Sequence, residues 1–212
     1  MTSERITLFP LQLVLFPHGA VPLHIFEPRY KQLIADCKQS KKPFGIPTVI
    51  DNTVNELGTM VELVEITREY DNGELDIKTK GIKVFRVLET VKEVPDKLYS
   101  GAIVNYPENH KRINEKMMKF IIDGIHQLHN MLKIEKEFKK PEDELCSYDI
   151  AHHAGLSLEE EYEILGLFHE LQREEYLKQH LAKVLPIAAD MELLKNKIQL
   201  NGHFKNIKGF DL

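Results

Sequence analysis

The sequence has little of what marks several specialised classes of protein. Of its 212 residues, two are cysteine and none is tryptophan. The two thiols, Cys37 and Cys146, are too few for a disulfide framework, and no Cys-x-x-Cys pair indicates zinc or redox chemistry. No run approaches the roughly 18 apolar residues of a membrane-spanning helix, and the N-terminus does not resemble a signal peptide. We therefore expect a cytoplasmic protein with no membrane partner.

Positive charge is also in short supply. The chain carries 28 Lys and Arg against 33 Asp and Glu, which gives a formal net charge of −5. Nucleic-acid-binding proteins usually present a basic surface with interleaved aromatic residues, and no such stripe is visible here. The charge balance weighs against a nucleic-acid partner.

Motifs for catalysis and metal binding are missing or incomplete. The phosphate-binding pattern Gly-x-x-x-x-Gly-Lys-[Ser/Thr] is absent, which excludes ATP hydrolysis by that mechanism. His169 opens a His-Glu-x-x-His pattern, but Arg173 occupies the position of the second ligand. His126 and His129 share a helix face without acidic or thiol partners, which favours ordinary packing. We expect no catalytic residue, no cofactor and no metal site.

The first half of the chain shows the alternation and turn signals of strands. An Asp-Asn-Gly hairpin turn occupies residues 71–73, and Gly81 interrupts an alternating run as at a bulge or barrel corner. One short helix is predicted at residues 29–39. Six strands are predicted, at residues 11–16, 44–49, 58–70, 74–80, 82–91 and 99–106. Antiparallel strands of this kind favour a small closed or half-closed barrel.

After about residue 108 the apolar residues recur at helical spacing. Helices are predicted at residues 113–132, 143–154, 171–185 and 191–200. Gly155 is predicted to cap the second of these helices, Ser157 and Glu160 form a capping box, and Pro186 is expected to kink a helix or open the next. The fold class is α+β, with a β-rich subdomain at 1–107, a helical bundle at 108–200 and a tail at 201–212 whose apolar residues could dock.

The stretch from Phe9 to Tyr30 is the most distinctive part of the sequence. Prolines surround a short apolar run, and each proline limits where a strand or helix can extend. This pattern resembles the opening of the N-terminal, substrate-binding domain of Lon proteases. Residues 58–64, 71–73, 80–87, 99–104 and 156–158 resemble later family motifs in the same order.

The resemblance covers roughly residues 5 to 185 and carries expectations of its own. It implies a PUA-like pseudobarrel followed by a helical bundle. In full Lon proteases, ATPase and Ser-Lys peptidase modules follow this domain, which handles substrate and does no chemistry. The motifs of those modules are not found here, so the chain resembles free-standing Lon-domain proteins.

Apolar residues of the opening turn are the remaining candidates for a site. They either plug the barrel as core residues or form an exposed groove for extended polypeptide. The predicted polypeptide-binding residues are Phe16, Pro17, Phe26, Arg29 and Tyr30. Of these, Phe26, Arg29 and Tyr30 are the preferred exposed members, because they lie where the chain leaves the turn and begins a helix.

The sequence therefore predicts a non-catalytic polypeptide-binding or adaptor protein. Its partners would be unfolded or extended polypeptide segments, or a partner protein, and the helical half could mediate self-association. Two alternatives stay open. Barrel mouths commonly bind small molecules, and PUA-type barrels suggest RNA binding by fold analogy alone.

Overall fold

Strands and helices divide along the chain as the sequence predicts. The computed structural model describes residues 3–203, with side chains to residue 193. The strands are β1 (Glu4–Thr7), β2 (Ala20–Ile25), β3 (Phe44–Ile50), β4 (Thr53–Glu69), β5 (Leu75–Val91) and β6 (Gly101–Asn105). The helices are α1 (Pro28–Ser40), α2 (Glu115–Leu132), α3 (Ser147–Ile150), α4 (Leu158–Gly166) and α5 (Glu170–His203), with 3₁₀ turns at Glu142–Glu144 and Ala151–His153. The α+β class is confirmed.

A single antiparallel sheet closes on itself. The strand order is β1-β6-β5-β4-β3, and β2 pairs with β5 beside this path. The segment that follows β1 then pairs with β3, in parallel. There the Phe9 N–H donates to the Gly45 carbonyl and the Val49 N–H to the Leu11 carbonyl, each at 2.8 Å. The predicted barrel is thus closed by the beginning of the distinctive opening stretch.

Gly81 forms the predicted bulge inside one continuous strand, β5. Val61 pairs with Gly81 and Met60 pairs with Lys83, so Ile82 is an extra residue on β5. A β-carbon at position 81 would lie 2.5 Å from the carbonyl oxygen of Phe16. Only glycine allows the backbone of the opening turn to approach β5 this closely.

The opening turn is fastened to that bulge. The His18 N–H donates to the Gly81 carbonyl at 2.9 Å, and the Gly81 N–H donates to the Gly19 carbonyl at 2.8 Å. Two hydrogen bonds therefore fix the position of residues 17–19 against the barrel.

The strand predicted at residues 11–16 does not form. Leu11 makes one bridge to β3, and the chain then follows an irregular path to Phe16. Val14 and Phe16 pack among the helices, whereas Leu15 packs in the barrel. Because neighbouring side chains enter two different cores, packing determines the path of this segment.

Two short strands were not predicted. β1 pairs with β6, and β2 pairs with β5 alone. β2 contains Pro22, which reads in the sequence as part of a turn. Proline is tolerated at a sheet edge because the missing N–H need not leave a gap in the ladder.

Local signals placed most of the helices correctly. α1 and α2 agree with prediction to within two residues at each end. Ser157 Oγ accepts from the Glu160 N–H at 3.2 Å, and the Glu160 carboxylate accepts from the Ser157 N–H at 2.8 Å. Gly155 adopts a φ of 74°, as expected for a cap. The capping box and the glycine turn are confirmed.

The helix predicted at residues 143–154 is wrong. The backbone is extended at Leu145 and Cys146, which splits the segment into α3 and two 3₁₀ turns. The Asp149 carboxylate accepts from the Cys146 N–H at 3.1 Å, and so caps a new helix start inside the predicted one.

The helices predicted at residues 171–185 and 191–200 form a single helix, α5. α5 runs unbroken through Pro186 and through the Asn201-Gly202 pair, where an end was expected. The apolar tail residues that were predicted to dock all follow residue 203, and they lie outside the described part of the chain. The proposed boundary between subdomains near residue 108 stays a prediction.

Three buried clusters organise the interior. Two lie within the β-rich half, one of them beneath α1. The third is built mainly from helices but also takes in side chains from the first half of the chain, namely Val14, Phe16, Leu57 and Val84. The barrel and the helices therefore share a continuous apolar contact. Within the described residues, no helix combines the length and apolarity needed to cross a membrane.

A buried ion pair lies beside this contact. Arg173 is 1% exposed and Glu170 is 2% exposed. The Arg173 guanidinium donates to Ser147 Oγ, Asn109 Oδ1, Tyr148 Oη, the Leu167 carbonyl and Glu170 Oε2. It also lies 4.0 Å from the centre of the Tyr148 ring. The incomplete zinc motif is in fact a structural ion pair.

We expect Gly81→Ala to destabilise the fold. The added methyl group would collide with the Phe16 carbonyl and displace the opening turn, at a cost of about 1–3 kcal/mol. Urea unfolding would measure the loss. The exposed neighbour Lys80→Ala is the control, with an expected change within about 0.5 kcal/mol. Equal stabilities for the two variants would contradict the close approach.

We also expect stability to fall on acidification through His153. Burial lowers the pKa of His153 from 6.5 to about 4, with nearby Lys136 adding to the effect. Between those values the unfolded chain binds a proton that the folded chain does not, so stability is lost as pH falls. Unfolding free energies at pH 7 and pH 5 should differ less for His153→Gln than for the parent. An unchanged difference would contradict this account.

Candidate functional site

Two of the predicted site residues are buried at the opening turn. Phe16 is 1% exposed, and its ring stacks on Tyr148 with 5.3 Å between ring centres. Pro17 is buried beside it. Both residues join the barrel to the helices, so the folded protein does not present Phe16 to a partner.

Tyr30 is buried as well. It is 7% exposed and stacks on Phe9, with ring centres 3.9 Å apart. Tyr30 is therefore a core residue of the barrel and α1. The expectation that it would be an exposed member of the site does not fit this burial.

Phe26 and Arg29 do lie at the surface. Phe26, directly after β2, is 58% exposed. Arg29 lies in the first turn of α1, where its Nε donates to Glu27 Oε2 at 2.8 Å. Its guanidinium also lies 4.5 Å from the centre of the Tyr30 ring. An exposed aromatic ring is thus followed, three residues later in the chain, by a guanidinium that Glu27 and Tyr30 hold in position.

Three further residues complete this surface, which we call the β2 rim: His24, Phe26, Arg29, Tyr70 and Asp76. The His24 ring lies 6.1 Å from Phe26 and 5.7 Å from Tyr70, centre to centre. The Tyr70 hydroxyl donates to Asp76 Oδ2 at 2.7 Å. The rim combines aromatic faces with fixed charges at one end of the sheet.

His24 is held by two carboxylates. Its Nδ1 lies 2.7 Å from Asp76 Oδ1, and its Nε2 lies 3.1 Å from Glu74 Oε2. Ionised carboxylates only accept hydrogen bonds, so both ring nitrogens must carry protons to satisfy them. The hydrogen bond to Asp76 is the main reason that the pKa of His24 is raised above 6.5.

The sequence contained only part of the information that would place His24, Tyr70 and Asp76 together. The hairpin turn at 71–73 places Tyr70 near Asp76, which could have been inferred. His24 joins them because Asp76 is its partner in the register of β2 on β5. That pairing is non-local, and β2 itself was not predicted.

A cavity lies where the barrel meets the helices, and we call it the junction crevice. Its volume is about 230 Å³. It is lined by Pro17, His18, Ile82, Lys83, Val84, Tyr106, Pro107, Asn109, Lys111, Ile113, Cys146, Tyr148, Glu170 and Arg173. Pro17 thus faces a cavity rather than the β2 rim.

Other candidate residues are engaged separately. His126 is exposed and contacts Glu142 at 3.0 Å, whereas buried His129 contacts the His153 carbonyl at 3.0 Å. Across the described residues, no group of three or more His, Cys, Asp or Glu side chains could hold a metal ion. Cys37 is buried, as expected, and burial raises the pKa of its thiol to about 11.

Comparison with protein families explains the architecture. Residues 5–183 match the family model described as the substrate-binding domain of ATP-dependent protease La (Lon). The chain belongs to this family. The match spans both the barrel and most of the helical half, and it confirms the resemblance seen in the opening motif. The members of this family are substrate-binding domains, which are distinct from the catalytic parts of the protease.

Solved structures agree on the fold. The Lon N-terminal domain protein from Xanthomonas campestris superimposes with a TM-score of 0.62 at 23% identity, covering 84% of this chain and 98% of that one. The N-terminal domain of the Mycobacterium avium complex Lon protease gives 0.61 at 10% identity, with the same coverage. At such low identity the likeness concerns the fold alone.

Asp76→Asn should lower the pKa of His24. The substitution removes the strongest interaction that favours the charged imidazole, while Glu74 stays in place. An NMR pH titration of the His24 ring protons would show the midpoint moving toward 6.5. Glu74→Gln is the matched comparison, with a smaller shift expected because its interaction with His24 is weaker. A larger shift for Glu74→Gln would contradict this ranking.

Proposed function

We propose that this chain is a non-catalytic polypeptide-binding domain that recognises extended or unfolded segments of other proteins in the cytoplasm. Membership in a substrate-binding family supports a recognition role. In this proposal the β2 rim makes the first contact with the polypeptide, and the helical half supports the barrel as a second subdomain.

The observation that carries the proposal is the exposed Phe26 ring, which lies 6.1 Å from the His24 ring and three residues before Arg29 in the chain. Aromatic and arginine side chains dominate protein-binding energetics, and Phe26 lies in a group of rings with His24 and Tyr70 rather than alone. Arg29 is already oriented by Glu27 and by the Tyr30 ring, so little side-chain entropy would be lost on binding. It offers donors to backbone carbonyls and carboxylates.

The two alternatives have weaker support. The junction crevice, at about 230 Å³, is smaller than the roughly 300–1,000 Å³ of typical small-molecule sites, and the larger concavities, of about 490–870 Å³, are more open to solvent than it is. For RNA, the rim mixes its aromatic rings with the carboxylates of Glu27, Glu74 and Asp76, which would repel phosphates. Polypeptide binding suits both the rim and the family.

We expect Phe26→Ala to weaken polypeptide binding by about fivefold to tenfold, corresponding to roughly 1–1.4 kcal/mol for one aromatic contact. A reduced, alkylated model protein and short tryptophan-containing peptides serve as probes. Because this chain has no tryptophan, it contributes no tryptophan emission to the fluorescence of the probe. Arg29→Gln should have a smaller effect of the same sign.

Leu88→Ala is the matched control. Leu88 lies on β5, away from the rim, and is 55% exposed, close to the value for Phe26. It should bind the probes like the parent chain. If both alanine variants lose affinity equally, or if the parent binds none of the probes, the proposed function is wrong.

A further inference from the structure

We propose that the junction crevice binds the C-terminal residue of a polypeptide, with the apolar side chain inside and the terminal carboxylate beside Lys83 and Lys111. This inference rests on the proposed function and gives it a second, chemically specific site. It concerns a different surface from the β2 rim.

The shape of the crevice suits a chain end. Five segments surround it: the opening turn, β5, the stretch after β6, α3 and α5. Its volume of about 230 Å³ corresponds to roughly seven water molecules. This volume holds one large side chain or two small ones. It is too small for an internal segment of polypeptide, which would have to pass through the cavity.

The walls of the crevice are apolar and its polar floor is already engaged. Ile82 and Ile113, at 39% and 40% exposed, stand on its lining, together with Val84 and Pro17. On the floor, Arg173 and Glu170 bond to each other and to neighbouring groups. The floor therefore has no free charge to attract a polar side chain.

Cations without ion-pair partners surround this apolar space. Lys83 and Lys111 both line it, and Lys83 lies over the Tyr106 ring at 3.3 Å. Among the described residues, neither of these two lysines forms an ion pair. The one carboxylate of the lining, Glu170, is buried and neutralised by Arg173.

Local charge therefore favours an anion in a protein whose net charge is negative. Burial and the positive charge of Lys140, with smaller contributions from Lys111 and Lys80, lower the pKa of His18 against the opposing effect of Asp149. Lys140 is paired with Asp149 at 2.7 Å, so the excess charge comes from the other lysines. A carboxylate attached to an apolar side chain would match this site, and a polypeptide ends in that combination.

The position of the crevice also fits the rim. The opening turn leads directly into β2, and Phe26 follows the end of that strand. Six residues of strand span about 20 Å. An extended ten-residue peptide is therefore long enough to contact the junction crevice and Phe26 at the same time.

The test compares four peptides that carry tryptophan near the middle and differ only in their last two residues. The first ends in leucine with a free carboxylate, and the second ends in leucine amide. The third ends in leucine amide with a glutamate before it, and the fourth ends in a free-carboxylate serine. Dissociation constants are measured by tryptophan fluorescence at low and moderate salt for the parent chain and its variants.

We expect the free-carboxylate leucine peptide to bind about tenfold more tightly than the other three. The double variant Lys83→Gln/Lys111→Gln should abolish that difference, and Ile113→Ala should reduce it. The matched control is Lys116→Gln/Lys119→Gln, two exposed lysines of α2, which should preserve it. Circular dichroism and unfolding curves would confirm that the variants fold.

Each of the other outcomes refutes either the crevice site or both proposals. Equal binding of the acid and amide peptides, with loss on Phe26→Ala, refutes the crevice and leaves the proposed function standing. Tight binding of the glutamate peptide would assign the site to acidic side chains rather than chain ends. An advantage for the acid peptide that survives loss of both lysines also refutes the crevice. Binding of no peptide refutes both proposals.

Discussion

The buried pair of Arg173 and Glu170 is the interaction that holds together the segments of the helical half on which the barrel packs. Arg173 reaches Asn109, which follows the last strand, and Leu167, which follows α4, while Glu170 accepts from the Ser147 N–H and hydroxyl. Removing one partner of such a pair would leave an uncompensated buried charge, which typically costs about 3–5 kcal/mol. Specific geometry is what the protein gains from this arrangement, because five donors in a planar fork can be satisfied in very few ways.

The opening turn meets this pair through stacked rings. Phe16 packs on Tyr148, and Tyr148 lies under the Arg173 guanidinium. On its other side the turn is bonded to Gly81 of β5. The opening turn therefore fixes the position of the barrel relative to the helices. It also leads into β2, the strand that ends just before Phe26. The rim and the crevice are placed by the same few contacts.

Local patterns in the sequence were enough to place β3, β6, α1, α2 and the capping box at Ser157, most of β4, and β5 as two runs on either side of Gly81. They also indicated the family, because the spacing of prolines and apolar residues specifies a backbone path. The failures were non-local. β2 depends on an edge position that tolerates Pro22, and the break before Ser147 depends on Asp149 and Glu170. His24 enters the rim only through strand register, and the burial of Phe16 and Tyr30 depends on partners distant in sequence.

The last helix has a mechanical consequence. α5 has 34 residues and α2, which packs against it, has 18, so their lengths are about 51 Å and 27 Å. Pro186 lies near the middle of α5, and its missing N–H removes one hydrogen bond from the helix there. The 17 residues that follow form a lever of about 26 Å. A bend of only about 10° at this proline would move the far end by roughly 4–5 Å, while the barrel, the β2 rim and the junction crevice stayed where they are.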